Sequence, residues 1–312
     1  MQSRKKFGLR IALVLALIGF GLALSACGGG GGSKDVVKSE ASVIPQEPLV
    51  DLNKVGLQGA PNPMLYTWDF ELQNCTLGPE GNNPFFDLLK PGFKHVSYKA
   101  DEDFRKEYTV LKETKTLDLE GIGRFEAAII EEREIEKGGK LKQISLNWYA
   151  ICKENNSVYS VGETSQHLNP DGSVKDTEGS WTAGAVNDKG EVAIPAMQVP
   201  GTITIGARYI FDGAPGIALG GSEVVAYGLK TVDGKLTTAK TAYYEGETVP
   251  VPITESLGEL SGCVQIEEIS QKSDTREPDI KDATNKVWCP GVGLVYDTSD
   301  GSLIESNRKD LE

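Results

Sequence analysis

Cysteines, histidines and acidic residues carry whatever chemistry this 312-residue chain can do. Four of its five cysteines, Cys75, Cys152, Cys263 and Cys289, are spread along its body, while Cys27 stands apart behind an apolar leader. An even set of cysteines in a chain carrying such a leader reads as a disulfide framework. Cys263 and Cys289 flank one polar loop and lie equidistant from its centre at Arg276. Antiparallel neighbours bring Cα atoms to roughly 4.5–5.5 Å, within disulfide range, so these two are expected to pair. Cys75 then joins Cys152, although four cysteines admit three pairings.

Catalytic motifs are missing. His95 and His167, the two histidines, read as surface or turn residues and not as bases. No Gly-x-Ser-x-Gly elbow, His-Glu-x-x-His helix or Gly-x-x-x-x-Gly-Lys loop occurs, and no Cys-x-x-Cys. Asp297-Thr-Ser-Asp-Gly301 and Asn169-Pro-Asp-Gly172 lack the alternating oxygen ligands of a calcium loop and read as tight turns. No metal and no cofactor is expected. Carboxylates are abundant, yet nothing marks an acid/base pair among them. Trp148, Tyr149, Tyr159, Trp181, Tyr209, Phe211, Tyr227, Tyr243, Tyr244 and Trp288 could line the concave side of a curved sheet. The preferred reading makes most of them core.

The elements that must position these residues are strands. Phe125–Glu136 and Lys140–Ile151 flank Gly138-Gly139, which can supply the positive φ of a tight hairpin. Ser157–Val161 continues the meander. Glu223–Val232, Asp233-Gly234 and Lys235–Tyr244 give the strongest local hairpin signal. Cys263–Ile269 and Lys286–Cys289 predict two strands joined by the polar loop Ser270–Asn285. Val292–Tyr296 and Ser302–Glu305 predict a last hairpin. The fold class is therefore mainly β: antiparallel meanders forming one or two curved sheets or half-barrels, with few short helices. A weak internal echo, Ala128-Ile-Ile-Glu-Glu132 against Val264-Gln-Ile-Glu-Glu268, suggests two lobes, at 60–180 and 181–312.

Ahead of the strands, Arg4, Lys5, Lys6 and Arg10 precede a sixteen-residue apolar stretch, Ile11–Ala26. That stretch is shorter than the roughly 20 residues a spanning helix needs, and reads as a secretory signal. Leu24-Ser25-Ala26-Cys27 resembles the bacterial lipobox. The resemblance implies that residues 1–26 are removed and that Cys27 is lipidated, making a membrane anchor through that lipid. It also accounts for the odd cysteine. Gly28–Gly32 and the polar stretch behind it, to residue 59, read as a flexible tether. Gly28, where diderm lipoproteins retained in the inner membrane commonly carry aspartate, points to the outer membrane. Without the leader, 28 basic residues face 45 acidic ones, a net charge of −17. Such a chain repels phosphate backbones and anionic headgroups, so no nucleic acid partner is expected.

Farther along, Trp181-Thr-Ala-Gly184, Ile194-Pro-Ala-Met197, Gly206-Ala-Arg-Tyr209, Ala214-Pro-Gly-Ile-Ala218 and Trp288-Cys-Pro-Gly-Val-Gly-Leu-Val-Tyr296 resemble an uncharacterised family of exported bacterial β-rich proteins. The similarity spans residues 180–297 and implies curved sheets distantly like lipoprotein-carrier half-barrels. It transfers no catalytic residue. Cys289 departs from the family's small residue, which fits a disulfide to Cys263. Pro290-Gly291 is expected to bulge an edge strand. The expected function is a non-enzymatic cell-envelope lipoprotein that binds an apolar ligand or a partner protein. An accessory subunit of an envelope assembly is the alternative, and a carboxylate hydrolase without a recognisable motif is the third.

Overall fold

The structure is a computed structural model that describes residues 50–51, 65–67, 70–86, 90–188, 190–270 and 283–307. Cys27, with the leader and most of the tether, lies outside the described residues, as does most of the predicted loop 270–285. In chain order the strands are β1 (Val50–Asp51), β2 (Leu65–Tyr66), β3 (Leu77–Gly78), β4 (Lys94–Lys99), β5 (Phe104–Leu119), β6 (Gly123–Glu136), β7 (Lys140–Cys152), β8 (Val158–Leu168), β9 (Val174–Asp176) and β10 (Trp181–Thr182). They continue with β11 (Ala196–Val199), β12 (Arg208–Ala214), β13 (Ala218–Leu229), β14 (Thr231–Val232), β15 (Lys235–Thr237), β16 (Thr248–Pro250), β17 (Cys263–Ser270), β18 (Thr284–Cys289), β19 (Gly293–Asp297) and β20 (Gly301–Ser306). One short helix, α1 (Thr254–Leu257), interrupts them. No described helix is long and apolar enough to cross a membrane.

Fifteen strands form one antiparallel sheet, ordered β10-β8-β7-β6-β5-β4-β20-β19-β18-β17-β13-β12, with β9 and β11 also on β8 and β3 on β7. The mainly β expectation of antiparallel meanders therefore holds, as a sheet not closed into a barrel. The predicted glycine-pair hairpin is β6–β7. Gly138 and Gly139 both take φ near 80° there, a conformation that penalises any residue with a Cβ. The predicted hairpin at Asp233-Gly234 forms only in part. Gly228 turns left-handed at the end of β13, so the chain leaves the main sheet. The short strands β14 and β15 then pair with β16 in a separate three-stranded sheet, and Thr238–Tyr244 is not strand. Pro290-Gly291 also departs from expectation. It forms the turn between β18 and β19, which lie in the middle of the sheet and not at its edge.

Apolar residues from distant strands of the ladder meet in one cluster on the inner face: Val110 and Ile130 with Val158, Val224, Val264, Ile266, Trp288 and Leu294. Strands far apart along a flat ladder could not share such a core, so the sheet curls around it. Its two ends approach where Ile194 N–H donates to Gly213 O at 2.8 Å and Gln198 Nε2 to Phe211 O at 2.8 Å. The approach requires glycine, because a Cβ at Gly213 would lie 2.1 Å from Ile194 O.

The outer face is covered twice. Leu117, Phe125, Ile129, Trp148, Tyr159 and Trp181 pack with Leu72 and Leu77 behind β5–β8. Leu236 and Val251 of the small sheet, with Ile253 and Leu260, pack with Val287, Val295, Tyr296 and Leu303 behind β17–β20. Each cover is stapled as the sequence expects: Cys75 bonds Cys152, with Cα atoms 5.1 Å apart, and Cys263 bonds Cys289 at 4.1 Å. Most of the aromatics named from the sequence are core, with Trp148, Tyr159, Trp181, Tyr209, Phe211 and Trp288 all buried and Tyr227 exposed.

Candidate functional site

Along the inner face the strands change character from one end to the other. On β5 the inward residues run Val110, Tyr108, Lys106; on β6, Ala128, Ile130, Glu132; on β17, Val264, Ile266, Glu268; on β18, Trp288, Lys286, Thr284. The first residues of these series pack in the inner core. The last line a cavity of about 290 Å³, together with Asn147, Tyr149, Ser160, Glu163, Gln198, Phe211, Asp212, Asp297, Ser299 and Asp300. Period-2 alternation puts these groups on one face, and nothing in the period requires them to be apolar.

Three β-bulges complete the wall. Val161 is an extra residue opposite β7, between the pairs Ser160–Tyr149 and Gly162–Trp148. Phe211 is extra opposite β13, and Val295 is extra opposite β18. Each bulge shifts the alternation by one residue. Glu163, Asp212 and Asp297, which uninterrupted alternation would place on the outer face, thereby reach the cavity.

The lining holds six carboxylates, Glu132, Glu163, Asp212, Glu268, Asp297 and Asp300, and two lysines. Lys106 Nζ lies 3.0 Å from Asp300, 3.2 Å from Glu132 and 3.3 Å from Glu134. Lys286 Nζ lies 2.6 Å from Glu268 and 4.0 Å from Asp297. Tyr108 OH donates to Asp300 at 3.0 Å, and Ser299 holds Asp297 through its N–H at 2.7 Å and its hydroxyl at 2.5 Å. Glu163 and Asp212 have no lysine or arginine within ion-pair distance among the described residues.

Burial and like charge set the protonation of the group. Burial, reinforced by Asp212 and Glu132, raises Glu163 to about 8 against the pull of Lys106. Burial raises Glu268 to about 7 and Asp212 to about 6, each opposed by Lys286. Asp297 is raised by burial and by Asp300. Asp300 moves the other way: burial would raise it, but Lys106, Lys286 and the Tyr108 hydroxyl together outweigh burial. Burial also works against both ammonium groups, and their carboxylate neighbours more than offset it.

No protein-family model, curated protein or solved structure matches the chain. The site therefore stands on its own residues. Of the positions considered from the sequence, Tyr149, Phe211 and Trp288 line the cavity, and Asp297 and Asp300 do so from a turn that forms as predicted. His95 is not at the surface. It is 5 % exposed on β4, its ring tilted against that of Tyr108 with centroids 4.2 Å apart, and neither ring nitrogen is hydrogen-bonded among the described residues. Burial lowers it to about 3, so it stays neutral. His167 lies partly exposed on β8, 2.5 Å from Asp176 and away from the cavity lining. The four disulfide cysteines sit outside the lining as well.

Lys106, Glu132, Glu163, Asp212, Glu268 and Lys286 carry no motif and were not singled out by sequence. One trace existed, since both arms of the internal echo, Ala128–Glu132 and Val264–Glu268, end on a cavity glutamate. A second recess of about 270 Å³ is more apolar, lined by Trp181, Val186, Ala193, Ala214, Pro215 and Ile217 among others, and it also touches Glu163.

Proposed function

We propose that the protein is an exported, membrane-tethered binding protein whose curled sheet holds a small polar ligand at the ionic end of its inner face. One observation carries the reading: six carboxylates and two lysines from across the sheet converge on a single cavity, three of the carboxylates delivered there by bulges. Burying charge costs stability, and a core of the same volume built from apolar residues is often equally or more stable. A cavity near 300 Å³ lies at the small end of ligand sites. The occupant inferred from the aromatics alone was apolar. The carboxylates around Tyr149, Phe211 and Trp288 favour a polar one, while the recess at Trp181 is the place an apolar portion would suit.

The tether reading rests on the lipobox resemblance at Cys27, on cysteine parity and on the acidic surface. It makes the lipid the contact with the membrane, with Gly28 favouring the outer one. Cys27→Ser should leave the precursor unprocessed and without lipid in a palmitate-labelling experiment, and processing that ignores a globomycin-type inhibitor would exclude it. Ligand binding is tested by native mass spectrometry of the protein purified from cell extract. A small molecule released on unfolding, and absent from a Glu163→Gln/Asp212→Asn double variant, is the expected result.

One observation favours a second reading, carboxylate-catalysed hydrolysis. A carboxyl raised to about 8 beside another raised to about 6 is the split that acid/base chemistry uses. Conversion of the captured molecule on prolonged incubation, lost in Glu163→Gln, would establish that reading over simple binding.

A further inference from the structure

We infer that the ligand is a small molecule bearing a protonated amine, and that Glu163 and Asp212 together receive the ammonium group. The inference rests on the binding reading above and specifies the chemistry of its ligand. The cavity's other four carboxylates already have cations. Asp300 and Glu132 share Lys106, and Glu268 and Asp297 share Lys286. Glu163 and Asp212 are left over, among the described residues, on β8 and β12, toward opposite ends of the sheet.

Nearby groups complete a receptor. The Tyr149 hydroxyl and the Asn147 amide lie on the same wall and have no hydrogen-bond partner among the described residues. Both can bond a ligand directly. Tyr149, Phe211 and Trp288 line the same cavity, and the Phe211 ring already faces a cation, with Lys286 Nζ 5.7 Å from its centroid. An ammonium would give these carboxylates a counter-charge in a half-buried cleft, where such pairing is stronger than in bulk water. A carboxylate or phosphate ligand would instead meet six acids.

Proton linkage gives the inference a second signature. Glu163 faces Asp212, Glu132, Lys106 and Tyr149 and is hydrogen-bonded by Ser165, and Asp212 faces Lys286, Glu268 and Tyr149. Near neutral pH Glu163, raised to about 8, keeps its proton. An arriving ammonium favours the ionised carboxylate and expels that proton. Affinity for an alkylamine such as putrescine, which stays protonated throughout, should therefore climb as pH rises from 6 to 8.5.

The test is titration calorimetry on the full-length protein in detergent. Putrescine and glucosamine serve as amine probes, with 1,4-butanediol and glucose as neutral counterparts. Amines should bind at least tenfold tighter than their counterparts at pH 7.5 and release protons to the buffer. Asp212→Asn and Glu163→Gln should each weaken amine binding tenfold or more, with melting curves confirming that both variants fold. Glucose binding as tightly as glucosamine, or amine affinity unchanged in both variants, overturns the inference while the ligand-binding reading stands. Binding of none of the four probes, with no molecule captured from extract, defeats both.

Discussion

Asp212→Asn should make this protein more stable at neutral pH and leave it unchanged in acid. The substitution keeps the shape of the side chain and removes its ability to ionise. In the folded protein burial raises Asp212 from 3.8 to about 6, with Lys286 opposing from beyond ion-pair distance. Between pH 3.8 and 6 the folded carboxyl therefore holds a proton that the unfolded chain has released. Stability falls with pH wherever the folded state binds more protons, so this residue's stabilising contribution is complete below about pH 4 and lost above about pH 6. At 1.36 kcal/mol per tenfold change in proton affinity the loss is about 3 kcal/mol, an upper value if water enters the cavity to solvate the charge.

Asparagine has no such loss. Urea unfolding at pH 4, 5, 6 and 7 with disulfides intact should show the variant equal to wild type at pH 4. By pH 7 it should be ahead by a large part of those 3 kcal/mol, with the m-value unchanged. A variant that is destabilised at pH 7, or whose advantage is the same at every pH, would refute the claim that Asp212 is a buried carboxylate without a cation.

Other perturbations test other parts of the structure. Lys286→Met leaves Glu268 and Asp297 without their cation, and breaking a buried pair costs about 3–5 kcal/mol. Because Glu268 is already raised to about 7 and can protonate, that cost should shrink between pH 8 and pH 5 in the same urea assay. Replacing Cys263 and Cys289 by alanine should lower stability by about 3.5 kcal/mol, and the longer Cys75–Cys152 loop by about 4.5 kcal/mol, both upper values of the chain-entropy model and read as shifts in urea midpoint. Gly213→Ala drives a methyl into Ile194 O at the seam and should cost about 1–3 kcal/mol, seen as a lowered melting temperature.

Local signals made the fold class legible. The glycine pair at 138–139, the alternation of Leu141 to Ala150 and the spacing of Cys263 and Cys289 around one loop each have a short-range physical cause, and each appears where expected. The Asp233-Gly234 turn formed too, but its long flanking strands did not, because Gly228 redirects the chain first. His95 was misplaced because a lone histidine in a polar run carries no mark of the Phe93 and Tyr108 rings that enclose it. The cavity was hidden for a different reason. Lys106, Glu132, Glu268 and Lys286 sit at the inward phase of their strands, where a charge looks like an error in an apolar stripe. Glu163, Asp212 and Asp297 were harder still, since regular alternation assigns them to the opposite face. A bulge is a property of two paired strands, and no feature of one strand announces it.

That last point bears on why the cavity exists. A sheet of this size can curl around an apolar core alone, as the other end of the inner face does with Val110, Ile130, Val264 and Ile266. At the ionic end, removing the three bulges would turn Glu163, Asp212 and Asp297 toward the outer face and leave fewer buried charges to neutralise. The arrangement costs stability twice, once in interrupted ladder hydrogen bonds and once in carboxylates forced together. Lys106 and Lys286 offset that repulsion for four of the six acids, and near neutral pH Glu163 escapes it only by keeping its proton, which leaves Asp212 charged without a cation among the described residues. The remainder without a cation among the described residues, Glu163 with Asp212, is the pair to which a ligand's ammonium is assigned.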